Sequence, residues 1–267
     1  MDTARIETVL CDLDGVVWLS HEAIPGSVEA IERLRSAGRR VLFVTNNSRL
    51  TLGEQAASLG AIGIPAENDV VTSASAAGVL VQPGWRVLVA GGPGVTEAVV
   101  AAGAEAVPND GTVPDPPVDA VVTGLHREFD FARLRAAARA IRDGARFIAT
   151  NTDATYPTPD GLDPGGGALV AAIATASGEE PVVAGKPHAP MGEVVRRIVN
   201  PSGDLDPDTI VMVGDRPETD GLFARVIGAS YAQVRTGVMP PGSPLDAETG
   251  VAVDIENLAA LADLLLD

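Results

Sequence analysis

The protein has 267 residues and a mass of 27.3 kDa, a length that allows one large domain or two small ones around a real hydrophobic core. Asp and Glu number 36 against 19 Lys and Arg, so the formal net charge is −17. A field of this sign repels polyanions and argues against nucleic acid or an anionic membrane as partner. The single cysteine, Cys11, excludes an intrachain disulfide. The sequence shows neither a secretory leader nor an apolar run of about 18 residues, so we expect a soluble, cytoplasmic protein with no membrane partner.

Short runs rich in Val and Ile alternate with amphipathic stretches along most of the chain. Such alternation is typical of parallel sheets with helices on both faces, so we expect an α/β fold. The first predicted elements are a strand at 8–11, a helix at 26–37 with Gly38 as its C-cap, a strand at 40–44, a helix at 51–59 with Thr51 as its N-cap, a strand at 70–71 and a helix at 73–80. The later ones are a short apolar segment at 182–184, a helix at 189–199, a strand at 210–213, a helix at 222–227, a strand at 231–234 and a terminal helix at 255–266.

The middle of the chain is predicted to form a separate α/β unit. Segments at 82–84 and 178–181 contain Pro and Gly and are predicted hinges. We therefore expect residues 83–179 to be inserted into a core made of residues 1–82 and 180–267. The elements predicted within the insertion are strands at 85–90, 118–123 and 146–149, helices at 95–102, 131–141 and 167–176, and a loop at 109–117.

Two carboxylates, Asp12 and Asp14, follow the first predicted strand, and Gly15 then lets the chain turn. The alternation of side chains along an extended chain points both carboxylates to the same side. Open parallel sheets bind ligands beyond the carboxyl ends of their strands, and two like charges so close favour a divalent cation. The competing interpretation is an ordinary turn, since Asp and Gly favour turns in any case.

The second predicted core strand ends in Thr45, Asn46 and Asn47. Hydroxyl, amide and backbone N–H groups at a strand end can hold phosphate oxygens. Alone this pattern is weak, because polar loops commonly follow strands.

Lys186 lies in the sequence GKP, between a predicted strand and a predicted helix. Of the 19 basic residues, 18 are arginines and Lys186 is the single lysine. An ammonium group at this place can neutralise a phosphate and hold a carboxylate nucleophile beside it, although an isolated lysine is more often a surface residue.

Asp215 ends a further predicted strand and Asp220 opens the helix that follows it. Both carboxylates could serve a metal ion, one directly and one by orienting the metal's ligands. The alternative for Asp220 is a helix-start acid that the helix dipole favours.

Taken in order, the four motifs DxDG, TNN, GKP and GDxxxTD resemble those of the haloacid dehalogenase superfamily of phosphohydrolases. The resemblance covers essentially the whole chain. The Asn doublet, the GKP form and the segments at 149–153 and 164–169 look like the NagD-like, 4-nitrophenylphosphatase branch. It implies a doubly wound, Rossmann-like parallel core sheet with an α/β cap inserted between the second and third motifs. About 30 residues separate the first two motifs and about 140 the next two, so only the second interval can hold a cap domain.

This resemblance implies a Mg²⁺-dependent phosphatase that acts on a small phosphorylated metabolite, such as glycerol phosphate, phosphoglycolate, a nucleotide or an aryl phosphate. In such an enzyme Asp12 is the nucleophile that becomes an aspartyl phosphate. Asp14 protonates the leaving alkoxide and then deprotonates the hydrolytic water. A homodimer formed through the cap is also implied.

The metal and phosphate ligands are likewise implied by the resemblance. Mg²⁺ would be held by Asp12, the backbone carbonyl of Asp14 and Asp215, with Asp220 orienting the groups around the ion. The residues expected to hold the transferred phosphoryl group are Thr45, Asn46, Asn47 and Lys186.

Two other functions stay open from the sequence. A phosphotransferase would pass the phosphate from Asp12 to a second hydroxyl, and a non-enzymatic phospho-acceptor domain would keep it for signalling. Asp14 argues against the second, because an acid–base group two residues away shortens the life of the intermediate. Arg49, His21 and Glu218 lie near the motifs and have no assigned role.

Overall fold

The computed structural model describes residues 1–158, 161–239, 242–244 and 250–267. Its strands are β1 Thr8–Cys11, β2 Trp18–Leu19, β3 Glu22–Ala23, β4 Arg40–Thr45, β5 Val70–Thr72, β6 Arg86–Ala90, β7 Glu105–Pro108, β8 Ala120–Thr123, β9 Arg146–Ala149, β10 Thr155–Thr158, β11 Gly161–Pro164, β12 Val182–Val183, β13 Ile210–Gly214, β14 Ser230–Val234 and β15 Val251–Ile255. Its α-helices are α1 Ser27–Ser36, α2 Leu52–Ala61, α3 Ser73–Gly78, α4 Pro93–Ala101, α5 Phe131–Arg142, α6 Gly166–Ser177, α7 Ala189–Val199, α8 Leu222–Ile227 and α9 Leu258–Leu266.

The chain divides into two compact units. The first comprises Met1–Thr45, Gly53–Val71 and Lys186–Asp267, and the second comprises Asn46–Leu52 and Thr72–Gly185. These boundaries differ from the predicted ones at residues 82 and 180. Strand β12 pairs in parallel with β9 and α3 contacts α4, so the segments just outside the predicted insertion also belong to the second unit.

The first unit is built on a six-stranded sheet in the order β15-β14-β13-β1-β4-β5. Strand β1 pairs in parallel with β4 on one side and with β13 on the other. The chain therefore runs outward from β1 in one direction and later returns to its opposite side. This is the doubly wound arrangement predicted from the sequence, and it makes the carboxyl end of β1 the point where ligands bind in such sheets.

The core of this unit surrounds β1, whose four residues are all buried, as expected for a central parallel strand. Ile31 and Leu34 of α1 and Leu261 and Leu265 of α9 belong to the same cluster of buried apolar side chains. Helices α1 and α9 contact each other, so the last helix of the chain completes the core that the first strand begins.

The second unit contains a five-stranded sheet in the order β12-β9-β8-β6-β7, with every pairing parallel. Strand β7 was not predicted, because it is a partly exposed edge strand with a weak apolar pattern. The antiparallel hairpin of β10 and β11 was also not predicted. All four residues of β11 are exposed, so the sequence there lacks the alternating apolar pattern of a strand with one buried face.

The end of the first unit differs from the prediction. A helix was expected over 255–266, but residues Val251–Ile255 form β15, which pairs in parallel with β14. Helix α9 begins only at Leu258, where the Asn257 side chain accepts a hydrogen bond from the backbone N–H of Ala260 (3.0 Å). The short strand and its cap set the start of the helix three residues later than the apolar spacing indicated.

Within the ranges given above, no helix is both long and apolar enough to cross a membrane.

We expect Leu261→Ala to lower the free energy of unfolding by about 2–5 kcal/mol, because the side chain is 0% exposed and its removal leaves a cavity in the buried apolar cluster that α9 shares with α1. Leu264→Ala, on the same helix but 40% exposed, is the matched control and should change stability by no more than about 0.5 kcal/mol. Urea denaturation followed by circular dichroism measures both. Equal losses in the two variants would contradict this account of the core.

Candidate active site

Three carboxylates meet at the carboxyl end of the central strands of the first unit. Asp12 follows β1 and Asp215 follows β13, and these strands are neighbours in the sheet. The backbone N–H of Asp12 donates to the carbonyl of Val213 (2.9 Å), which extends the ladder by one residue. One carboxylate oxygen from each of Asp12, Asp215 and Asp220 lies within 4.8 Å of the other two, and all three residues are buried.

Lys186 lies between two of these carboxylates. Its Nζ is 2.7 Å from Asp12 Oδ1 and 2.8 Å from Asp220 Oδ1, and the residue is 4% exposed. Burial alone would lower the pKa of this amine, but the charges and hydrogen bonds of Asp12 and Asp220 outweigh it and the pKa is raised. The side chain is therefore a fixed ammonium ion, and the predicted pairing of Lys186 with Asp12 is present.

Asp220 is held by a tight turn rather than by the helix that the sequence indicated. Residues Pro217–Gly221 form one π-helical turn ahead of α8. The backbone N–H of Arg216 donates to Asp220 Oδ2 (3.1 Å). A Cβ at Gly214 would lie 2.1 Å from the same oxygen, so the glycine before Asp215 makes room for this carboxylate. Burial raises the pKa of Asp220, and Lys186 opposes that rise.

The Asp215 carboxylate is anchored at one oxygen only. Its Oδ2 accepts a hydrogen bond from the backbone N–H of Val238 (2.8 Å). Its Oδ1 is buried and has no hydrogen-bond partner among the described residues. Burial, then the negative charge of Asp12, raises the pKa of Asp215 to about 6. A buried acceptor of this kind needs a partner that the protein does not supply.

Asp14 lies beside this cluster but is not one of the three grouped carboxylates. Its Oδ1 accepts a hydrogen bond from the indole Nε1 of Trp18 (3.1 Å). Burial, followed by the charges of Asp12 and Asp215, raises the pKa of Asp14 to about 7. A metal contact through the Asp14 backbone carbonyl stays a prediction.

The excess of negative charge in this cluster favours the binding of a cation. Four carboxylates share one ammonium group, and burial prevents water from screening their repulsion. The donors are oxygen atoms with no histidine or cysteine side chain among them, which suits a hard divalent ion such as Mg²⁺. The free Oδ1 of Asp215 points to the same conclusion, so the residues present fit the implied metal.

The second motif is divided between the two units. Thr45 is the buried last residue of β4 in the first unit, whereas Asn46 and Asn47 belong to the second. The Asn46 side-chain Nδ2 donates to Asp153 Oδ2 (3.1 Å), and its carbonyl accepts from Ser73 Oγ (2.6 Å). The phosphate-binding role of these three motif residues stays a prediction.

The three residues left without a role lie in different surroundings. Glu218 is exposed in the turn before α8. The Arg49 carbonyl accepts a hydrogen bond from the backbone N–H of Gly94 (3.0 Å) in the second unit. His21 packs against the ring of Trp18, with 4.7 Å between ring centroids.

Sequence reasoning missed Trp18, Gly237 and Val238. Trp18 lies four residues after Asp14 and could have been noticed as a polar aromatic near the motif. Gly237 and Val238 carry no motif, and only the fold brings them to Asp215.

We expect Gly237→Ala to weaken Mg²⁺ binding by about 10–100-fold, because a Cβ there would lie 1.9 Å from Asp215 Oδ2 and force the carboxylate to move. Gly53→Ala, in α2 with no atom within 4 Å of the added carbon, is the control and should bind Mg²⁺ as the wild type does. Isothermal titration calorimetry with MgCl₂ measures both affinities. Unchanged binding in Gly237→Ala would show that Asp215 does not hold the ion.

Comparison with known proteins gives the family. Residues 9–105 match the family described as haloacid dehalogenase-like hydrolase, and residues 183–261 match a second one described as HAD-hydrolase-like. The D-glycerol 3-phosphate phosphatase of Mycobacterium tuberculosis is 41% identical over 270 residues, which cover 97% of this chain and 72% of that protein.

Solved structures with a similar fold indicate the same family. The crystal structure of a glycerol phosphate phosphatase from Mycobacterium tuberculosis in complex with magnesium has a TM-score of 0.86 and 35% identity, covering 97% of this chain and 78% of that one. The 4-nitrophenylphosphatase from Thermotoga maritima has a TM-score of 0.86 and 28% identity, covering 98% of both chains. The chain therefore belongs to the haloacid dehalogenase-like hydrolases, in their NagD-like, 4-nitrophenylphosphatase branch.

Proposed function

We propose that this protein is a Mg²⁺-dependent phosphatase that hydrolyses small phosphomonoesters through an aspartyl phosphate on Asp12. The observation that carries the proposal is the buried Lys186 ammonium, 2.7 Å from Asp12 and 2.8 Å from Asp220. It places a positive charge directly beside the Asp12 carboxylate at the carboxyl end of the central strand, and the remaining carboxylates of the cluster are left for a metal ion to neutralise. The family membership supports the same reaction class.

Asp12 attacks phosphorus in the first step. Lys186 holds Oδ1 of Asp12, so we assign the attack to Oδ2. The bond from Oδ2 to phosphorus forms as the bond from phosphorus to the ester oxygen breaks, and Asp14 gives its proton to that departing oxygen. The alcohol leaves and the phosphoryl group stays on Asp12.

Water completes the reaction in the second step. Asp14, now ionised, takes a proton from a water molecule whose oxygen attacks phosphorus. The bond between phosphorus and Asp12 Oδ2 breaks, and inorganic phosphate is released. Lys186 stays charged throughout and offsets the negative charge of both Asp12 and the phosphoryl oxygens.

Asp12 and Asp215 would hold Mg²⁺ together with the backbone carbonyl of Asp14, and Asp220 would orient the groups around it. When bound, the ion neutralises charge on the phosphoryl oxygens and on the clustered carboxylates. The oxygen donors and the unpartnered Oδ1 of Asp215 support this assignment.

Small phosphorylated metabolites are the substrates that we propose. Two of the related proteins are named for glycerol phosphate and 4-nitrophenyl phosphate, one an alkyl and one an aryl ester. We infer that the second unit is the cap that selects among such esters. Dimerisation through that unit and a cytoplasmic location stay predictions.

A panel of alkyl and aryl phosphate esters, assayed for inorganic phosphate with Mg²⁺ and with EDTA, tests the function. We expect many turnovers per enzyme with Mg²⁺, loss of activity in EDTA and recovery when Mg²⁺ is returned in excess. A phosphotransferase would release phosphate poorly unless it had a second alcohol, and a phospho-acceptor domain would stop after one turnover. Full activity in excess chelator would rule out the metal's role.

Asp12→Asn should lower turnover by at least ~10³-fold and leave the fold intact, because an amide cannot attack phosphorus as a carboxylate does. Asp208→Asn makes the same chemical change at an exposed residue paired with Arg5 and should keep full activity. Steady-state assays and circular dichroism compare the two. Residual turnover of more than a few per cent in Asp12→Asn, after deamidation has been excluded by mass spectrometry, would remove Asp12 as the nucleophile.

Lys186→Arg should lower kcat/KM nearly as much as Lys186→Ala, by about 100-fold or more, since small displacements in such a site have large effects. The ammonium is enclosed between two carboxylates, and a planar guanidinium cannot put one nitrogen at both short distances without moving one of them. Steady-state kinetics of both variants on one ester is the measurement. If the arginine variant kept most of the activity, the positive charge alone would account for the role of Lys186 and the geometric argument would fail.

A further inference from the structure

The chain closes a short loop directly after the nucleophile. The Leu13 carbonyl accepts hydrogen bonds from the backbone N–H groups of Val17 (2.9 Å) and Trp18 (3.1 Å), and the N–H of Gly15 donates to the Trp18 carbonyl (2.8 Å). Both chain neighbours of Asp14 are therefore bonded to the backbone of Trp18. Gly15 has a φ of +85°, which a glycine adopts without strain.

This loop places the indole of Trp18 on the Asp14 carboxyl group. Nε1 of the indole donates to Asp14 Oδ1 (3.1 Å), and the Trp18 side chain is almost completely buried. An indole N–H can only donate, so Asp14 Oδ1 must accept this bond whether or not Asp14 is protonated. The indole therefore engages Oδ1 and leaves Oδ2 as the oxygen that we assign to proton transfer.

A strained turn supports the indole from behind. Strands β2 and β3 form a hairpin whose two connecting residues, Ser20 and His21, have φ values of +52° and +67°. Positive φ at both positions is the backbone of a tight hairpin turn that Asn and Gly normally occupy. The His21 ring packs on the Trp18 ring at 4.7 Å, so a residue that is unfavourable for the turn supplies a contact to the indole.

We propose that Trp18 is the positioning residue for the general acid: it fixes the Asp14 carboxyl so that Oδ2 delivers its proton to the departing ester oxygen, and His21 holds the indole in place. The proton moves from Oδ2 to the leaving oxygen as the phosphorus–oxygen bond to that oxygen breaks and the bond to Asp12 forms. This inference rests on the proposed phosphatase function and extends it to residues outside the four motifs.

Leaving-group dependence separates such a role from simple packing. 4-Nitrophenolate departs without needing a proton, whereas phenolate departs more readily if it receives one. The two esters share the same ring, so a variant with a displaced general acid should lose activity on phenyl phosphate more than on 4-nitrophenyl phosphate. A variant that is merely less well packed should lose both activities by the same factor.

The experiment measures kcat/KM on both esters, with Mg²⁺, for the wild type, Trp18→Phe and Asp14→Asn. Trp18→Phe keeps an aromatic ring but removes the N–H donor. We expect its preference for 4-nitrophenyl phosphate over phenyl phosphate to rise by about tenfold, and that of Asp14→Asn to rise further, within the range that a general acid contributes. Trp85→Phe, the same change at the other tryptophan of the chain, should leave the preference as in the wild type.

An equal loss on both esters in Trp18→Phe, or no loss on either, would overturn the proposal. If the wild type released phosphate from neither ester, the phosphatase function itself would fail and this inference with it, before any variant was compared. His21→Gly keeps the indole and suits the turn, yet removes the ring behind it. It should raise the same preference by a few-fold, and it decides the matter if Trp18→Phe does not fold; an unchanged preference there would refute the proposal.

Discussion

The ion group formed by Lys186, Asp12 and Asp220 is the interaction on which the rest of the site depends. The Lys186 ammonium lies 2.7 Å from Asp12 Oδ1 and 2.8 Å from Asp220 Oδ1, and all three residues are buried. Removing such charges from water is unfavourable unless each is paired and hydrogen-bonded. The segments that carry these charged groups must therefore meet at one place. The sheet order sets β1 beside β13, so that Asp12 after β1 lies close to the turn after β13 that carries Asp220.

Glycine residues close to the carboxylates allow these segments to come together. At Gly15, Gly214 and Gly237 an added Cβ would come within 1.9–2.6 Å of a carboxylate oxygen. The chain thus approaches the acids closely enough to hydrogen-bond them through N–H groups, as Val238 and Arg216 do. Among the described residues, Asp14 and Asp215 are each held at one oxygen, by Trp18 and Val238, whereas both oxygens of Asp220 are engaged, by Lys186 and by the N–H of Arg216. The fixed orientation of these groups is the kind of preorganisation that phosphoryl transfer requires.

The parts of the molecule that could be predicted are those that local hydrophobic patterns in the sequence define. Strand β1 and helix α7 were predicted correctly, because a continuous apolar run and helical spacing define them. Asp12 and Asp215 do follow strands β1 and β13 as predicted, whereas Asp220 lies in a π-helical turn and not at the start of a helix. Strand β12 was predicted to belong to the first unit, but it pairs with β9 of the second. A segment of two residues is too short for its sequence to indicate which strand it pairs with. The contacts of Gly237 with Asp215 and of Asn46 with Asp153 join residues far apart in sequence, so only the folded chain shows them.

The presence of a single lysine makes this residue a selective probe for magnetic resonance. Every Lys or Arg except Lys186 is an arginine, and Lys186 is paired with the buried carboxylates of Asp12 and Asp220. Feeding ¹⁵N-labelled lysine during expression therefore introduces one Nζ resonance per molecule, and that resonance comes from the centre of the site. Its frequency and hydrogen-exchange rate report directly on the charge of the surrounding carboxylates, with no mutation and no attached dye. The composition of the chain has made the protein a natural single-probe system for magnetic resonance.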